Sequence, residues 1–409
     1  MTSVLRRYIG FQFFFNLLLW IPVFYEFQRS IGLSDSAIFG IQSIYYIAFC
    51  LLEIPTGFIA DRFGYRSSIM FGALVLTVAN VLPPMAPTFA GFLVHFVLIA
   101  LARSLISGAT SAYLYEYLKA HGEEARYKKI EGDARFYSLA GRVVAWSAVG
   151  WLMAWSSTSP YWISAANAAV AFVLAVTLPV VQPAVSQGET VDGAKLPLVA
   201  IRTLARSPLL LLIMLQGVGI FVMVRILQVN LYQPVVAVKG FDITAFGWIM
   251  AVMTIFEAVG AKLAHRLKGR FAEHTTVTVM TLVLSASLVI IAAGGQVLLV
   301  VGFCLFSFAS GVAFPVQKQM LNDAIVTARL RATFLSLESI MDRAVCALAV
   351  LPLGGLVASG KIQATLYVTA AATAVAAAGV YLLLRRGYAS WSGRTLPSAL
   401  SAPATREVS

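Results

Sequence analysis

Residues Glu53 to Arg66 read E-I-P-T-G-F-I-A-D-R-F-G-Y-R. An apolar run over roughly residues 38–60 enters this stretch and another, over roughly 69–87, leaves it, so the chain turns here at a membrane surface. Gly57 and Gly64 permit close helix approach and a tight reversal. Arg62 and Arg66 suit a cytoplasmic lipid surface, and Asp61 sets an acid beside nearby helix ends.

A degenerate copy of the stretch follows 204 residues later. Glu53 maps to Glu257, Gly57 to Ala261, Ala60 to Ala264, Arg62 to Arg266 and Arg66 to Arg270, while Asp61 maps to His265 and the acid is lost. Gln12 and Gln216 keep the same offset, as do Gly150 and Gly354. An offset of half the 409-residue chain is what two related halves give.

Composition places both halves in a bilayer. With 59% hydrophobic and 12% charged residues, the chain falls far below the roughly 25% charge of soluble domains. The net charge of +12 would suit nucleic acid, but the placement of the basic residues decides against it. Apolar runs of spanning length fall at roughly 8–28, 38–60, 69–87, 91–118, 136–155 and 161–182, then 209–234, 245–264, 275–294, 297–322, 334–358 and 363–384. About 21 of the 30 Lys and Arg then lie on the side of the N-terminus, against Arg29, Lys239 and Lys361 opposite, which makes both termini and the central loop cytoplasmic. The first run follows Arg6 and Arg7 without a small-residue cleavage site, so it reads as an uncleaved helix.

The expected fold is all-α: twelve transmembrane helices in two pseudo-symmetric six-helix bundles, residues 1–182 and 208–386. A cytoplasmic linker, 183–207, joins them through P-A-V-S-Q-G-E-T-V-D-G-A-K, and 387–409 is expected to be a disordered tail. Within the linker, Ile201 to Arg206 reads as a short amphipathic surface helix, and the mixed charges of 119–135 read as another. Cys50, Cys304 and Cys346 all fall inside spans and imply no disulfide framework; the four histidines show no metal-ligand spacing. Neither a nucleophile with its base nor a phosphate-binding G-x-x-x-x-G-K-[ST] emerges, so the reading is a non-enzyme without cofactor, driven by a gradient or by its substrate.

Polar residues inside spans are the functional candidates. Gln12, Asn16 and Trp20 recur every four residues on one expected helical face, and Gln42, Tyr46, Phe49 and Glu53 repeat the design in the second span. Arg103 and Arg225 sit near mid-span in the fourth and seventh; Ser107, Thr110 and Ser111 continue the first face, and Gln228 and Tyr232 the second. Thr254 and Glu257 share a face of the eighth span. Glu338 and Asp342 lie one turn apart in the eleventh, where each disfavours the other's ionisation unless Arg343, Arg142 or Arg331 pairs with them.

The pattern G-x-x-A-D-R-x-G-x-R, Gly57 to Arg66, resembles the loop between helices two and three of major facilitator superfamily transporters, and the likeness extends over the chain apart from its tail. The resemblance implies a cavity between two rocking bundles. It nominates Asn16, Trp20, Arg103, Ser107, Arg225, Gln228, Ser310 and Phe314 as its lining, from helices one, four, seven and ten. It also implies a gate at Gly57, Asp61, Arg62, Gly64 and Arg66, with Asp61 approaching the start of the eleventh helix, where R-A-T-F-L-S begins at Arg331. Arg103 to Gly108 is one residue longer than the superfamily's usual arginine-to-glycine interval, and the fifth helix lacks the G-P pair of many drug and proton antiporters. E-I-P-T-G and S-G-A look like a bacterial branch in which export of drugs or self-made metabolites is common. That likeness implies proton-coupled efflux across the inner membrane by a monomer, with Glu53, Glu257, Glu338 and Asp342 as proton carriers. Two mid-span arginines suit an anionic organic substrate, unless a protein acid such as Glu26 or Glu53 neutralises each. Proton-symport uptake of an organic anion or nutrient uses the same architecture, and a transporter-like ligand sensor is the reading from another class.

Overall fold

No water satisfies backbone N–H and C=O groups in hydrocarbon, so apolar runs of this length become helices. The computed structural model describes residues 2–181, 202, 204, 207–267, 272–325 and 331–391. Among them there is no strand. The linker 183–207, with its expected surface helix, lies almost wholly outside the described residues, as does the tail from residue 392.

The N-terminal bundle comprises α1 (Thr2–Asn16), α2 (Phe24–Ser30), α3 (Asp35–Phe63), α4 (Tyr65–Met85), α5 (Phe89–Ile106), α6 (Ala109–Lys119), α7 (Tyr127–Ser147), α8 (Val149–Trp155) and α9 (Ser159–Val176). The C-terminal bundle comprises α10 (Pro208–Arg225), α11 (Tyr232–Val238), α12 (Ile243–Leu267), α13 (Glu273–Ala293), α14 (Gln296–Ala324), α15 (Arg331–Val350), α16 (Leu353–Ala358) and α17 (Ile362–Trp391). A π-helical segment, Ile226–Leu231, joins α10 to α11. Ser34 and Thr88 cap α3 and α5 by accepting from the N–H of Ala37 and Gly91. Gly64, at φ +86°, supplies the reversal from α3 to α4 that the opening stretch demanded.

Among the described residues, ten segments are long and apolar enough to cross a membrane. The other two expected spans, 8–28 and 136–155, are each divided, into α1 with α2 and α7 with α8. Two further expectations change. The mixed-charge stretch before residue 136 is no separate surface helix, because α7 starts at Tyr127 and runs on into the span, and α17 continues to Trp391 rather than ending near 384.

The bundles meet along two seams. On one, α12 packs against α7 and α8; on the other, α3 packs against α15 and α16. The 204-residue offset carries the first seam onto the second. At the ends away from the termini, a Cβ on Gly150 would lie 2.5 Å from the Ile243 carbonyl oxygen, and one on its counterpart Gly354 would lie 2.7 Å from Ser36 Cα. Only glycine admits these contacts. Among the described residues, hydrogen bonds between bundles run from Tyr25 and Glu26, whose N–H groups donate to Gln233 Oε1, to Cys50 with the Ile340 carbonyl, and no farther toward the terminal side. The bundles are thus tied to each other on the side away from the termini.

Candidate functional site: a cavity at two broken helices

The first span breaks between Asn16 and Phe24, a stretch that contains Pro22. Proline removes a donor and turns its predecessor from helical geometry, and the freed backbone groups take partners from other helices. Asn167 donates to the Leu17 carbonyl, Trp146 Nε1 to that of Leu18 and Gln233 to that of Ile21, at 2.9, 2.9 and 3.0 Å, while Ser164 Oγ accepts from the Leu19 N–H at 2.8 Å. The π segment of the second half, Ile226–Leu231, overlaps the end of the corresponding place, 221–227. Interrupted helices in matching positions of two repeats mark a transporter's binding region.

A cavity of about 240 Å³ opens there, lined by Ile21, Arg142, Trp146, Gln228, Thr254 and Glu257 among others. Arg142 lies 5.4 Å over the Trp146 ring, and its Nε is buried without a hydrogen-bond partner. Glu257 is fixed from behind. A Cβ on Gly311 of α14 would sit 2.1 Å from the Glu257 carbonyl oxygen, so the two backbones touch there. A second cavity of about 240 Å³, lined by Gln12, Asn16, Glu131, Arg135, Ser138 and Arg142, shares the same arginine. Its acid is engaged: Glu131 accepts from Tyr8 Oη at 2.8 Å and from Ser111 Oγ at 3.1 Å.

Beside the other seam, ion pairs within the C-terminal bundle hold α15. Arg225 donates to Asp342 at 2.8 Å, Arg343 lies 3.9 Å from the same carboxylate and 3.8 Å over the Phe49 ring, and Lys318 pairs with Glu338. Glu53 accepts from Ser107 Oγ at 3.1 Å, and its other oxygen is buried unpartnered. Among the described residues no group of His, Cys, Asp and Glu is placed to hold a metal ion.

The nominated residues therefore scatter. Asn16 and Gln228 line the cavities, and Gln228 also reaches Ser307 Oγ at 3.3 Å. Trp20 leaves the expected Gln12–Asn16 face because α1 ends at Asn16. It turns into the N-terminal bundle, donating to Asn80 at 2.7 Å and stacking on Tyr161. Arg103 and Ser107 end α5, where Gly108, at φ +75°, breaks the continuous face expected through Ser111. Ser310 is buried with its hydroxyl on the Ser307 carbonyl, and Phe314 packs 4.1 Å from Phe221. Glu338 and Asp342 take separate cations, Lys318 and Arg225, rather than sharing a charge. In the opening motif, Arg66 donates to the Val176 carbonyl at 2.6 Å and so caps α9, and Arg62 is exposed. The side chains of Asp61 and Arg331 lie outside the described residues. Arg142 and Lys318 escaped nomination although each is a charged residue in a span; only their neighbours across the bundle distinguish them.

Two helical bundles related by an internal repeat, with a polar cavity where they meet, are the architecture of a membrane transporter. The chain belongs to the Major Facilitator Superfamily, whose profile matches residues 8–292. No curated protein matches it in sequence. A solved structure of a point mutant of the nucleoside transporter NupG is similar over 94% of this chain and 100% of its own, with TM-score 0.80 and 15% identity. The POT family transporter PepTSo is similar over 96% and 99%, with TM-score 0.75 and 12% identity. A POT family transporter in complex with 5-aminolevulinic acid is similar over 94% and 96%, with TM-score 0.75 and 13% identity. At these identities the likeness is one of fold.

Proposed function

We propose that the protein moves a small organic anion across the cytoplasmic membrane by alternating access, coupled to protons, as a monomer with both termini in the cytoplasm. The apposition of Arg142 and Glu257 across one cavity carries this reading. A substrate carboxylate that takes Arg142 sets a second negative charge beside Glu257, and a proton on Glu257 restores the local charge balance. Anion and proton then bind together. In this reading Asp61 serves as the gate acid that forms the cytoplasmic seal at the start of α15.

Glu53, with one unpartnered oxygen beside Ser107, supports a second reading, in which proton and substrate compete and the substrate is exported in exchange. Proton flux into proteoliposomes, followed with an internal pH dye while a panel of organic acids, antibiotics and metabolites is added to one side, separates the two. Acidification on the side that gains substrate means co-transport and opposite fluxes mean exchange. A ligand that binds without moving protons refutes coupling.

A further inference from the structure

The repeat that relates the seams also pairs positions behind them. In the N-terminal bundle, Phe11 and Phe15 of α1 are buried with ring centroids 5.4 Å apart, and Phe172 of α9 packs on the same core. Gln12 between them is satisfied, donating to Tyr8 Oη at 3.1 Å and accepting from Asn16 Nδ2 at 3.3 Å. Adding 204 turns the three rings into Leu215, Gly219 and Ala376, and the two partners of Gln12 into Leu212 and Ile220. Gln216 keeps the amide and loses everything that served it. It is 8% exposed, and both its polar side-chain atoms are buried without a hydrogen-bond partner. The correspondence holds in detail: Thr77 and Thr281 each donate to the carbonyl four residues back, Ala73 and Val277, at 2.9 and 2.8 Å.

Where the rings are missing there is space. A crevice of about 250 Å³ lies between α10, α13 and α17, lined by Leu215, Gln216, Gly219, Thr373 and Ala376 among others, none of them ionisable. A Cβ on Gly219 would meet nothing within 4 Å. The hydroxyls of Thr281 and Thr373 are engaged, the latter with Met223 Sδ at 3.5 Å. Gln216 is left as the group that reads a guest. The α17 span is the least buried of the ten, and its exposed Val368, Val375 and Leu382 are the surface of a helix facing lipid.

We propose that this crevice binds a neutral apolar molecule of one or two aromatic rings carrying one hydrogen-bonding group, which enters from the bilayer and is separate from the transport cavity. Such a guest fills the volume that Phe11, Phe15 and Phe172 fill in the other half and pairs an amide that is otherwise stranded in hydrocarbon. An apolar cavity of about 150 Å³ holds one benzene. The larger crevice admits a substituted ring.

Benzophenone is the probe, with two rings, one carbonyl acceptor and light-driven insertion into neighbouring C–H bonds. Irradiated with the full chain in proteoliposomes, it should label the α10 and α17 peptides around Met223 and Ala376. Gly219→Phe and Ala376→Phe, which restore the rings of the other half, should cut that labelling about tenfold or more. Both should raise the melting temperature, as cavity filling does. Gln216→Leu should cut labelling about threefold to tenfold at sub-saturating probe. If Gly219→Phe does not fold, Ala376→Phe and Gln216→Leu decide. Label spread over all spans in proportion to lipid exposure, or unchanged in those two variants, overturns the proposal.

Discussion

At the seam of α12 with α7, Glu257 faces Arg142 across an open cavity; at the related seam of α3 with α15, the corresponding Glu53 rests on Ser107 while Arg343 lies flat over Phe49. Both seams use a glutamate from one bundle and an arginine from the other. In the second, Asp342 draws Arg225 and Arg343 together and an aromatic ring covers the latter, although Arg225 Nε and one Glu53 oxygen stay buried without a partner. In the first, Arg142 keeps an unpartnered nitrogen and two cavities. One repeat has yielded a seam filled by side chains and a seam that keeps an open cavity.

The largest effect is expected from breaking the packed seam. Asp342→Asn leaves the half-buried Arg225 without its counter-charge, a loss below the about 3–5 kcal/mol of a fully buried pair, and the protein should melt lower. Arg225→Met combined with Asp342→Leu should recover most of that loss, since apolar residues of similar size replace buried pairs at little cost. A melting temperature unmoved by Asp342→Asn would remove the charge lock from this seam.

Next comes the open seam. Arg142→Ala should weaken transport of an anionic substrate about tenfold to hundredfold, the range of a lost charge-assisted hydrogen bond, and barely affect a neutral analogue. Arg343→Ala should change anion transport less than about threefold. Equal losses for anionic and neutral substrates in Arg142→Ala would make that arginine structural and erase the contrast.

Much of this was legible in the chain. The motif at Glu53–Arg66, the 204-residue offset and the apolar runs led to two bundles, and Gly150 and Gly354 do meet equivalent helices. The site was less so. The stripe Gln12–Asn16–Trp20 reads as one helical face, yet the helix stops at Asn16 because Asn167, Trp146, Ser164 and Gln233 cap the chain beyond it. Those caps come from three other spans, and no local pattern shows them. Similarly, Arg225 and Arg142 look alike in sequence. Which finds an acid depends on helix register across a bundle.

A smaller effect tests the seal that both seams share. Gly354→Val places a side chain against Ser36 and the Asp35 carbonyl, 3.0 Å from the latter at Cβ, and overpacking of this kind costs about 1–3 kcal/mol. The far side should open more often, so that a thiol reagent added from that side reacts about fivefold faster with a Glu26→Cys probe. Gly150→Val should do the same, because the pseudo-symmetric contact is as tight. If only one of the two accelerates labelling, the seams do not close as a pair.

The smallest effect isolates Glu53. Ser107→Ala removes one hydrogen bond, worth about 1 kcal/mol, and should shift the rate of proton-coupled transport about threefold to fivefold. Thr254→Val at the other seam should shift it less than about twofold, since the Thr254 hydroxyl is spent on the Met250 carbonyl within its own helix. Measured together, these variants ask which glutamate handles the proton. A response in Ser107→Ala alone assigns it to Glu53 and favours exchange. Silence in both, with Glu257→Gln inactive, assigns it to the carboxylate facing Arg142 and joins the proton to the anion.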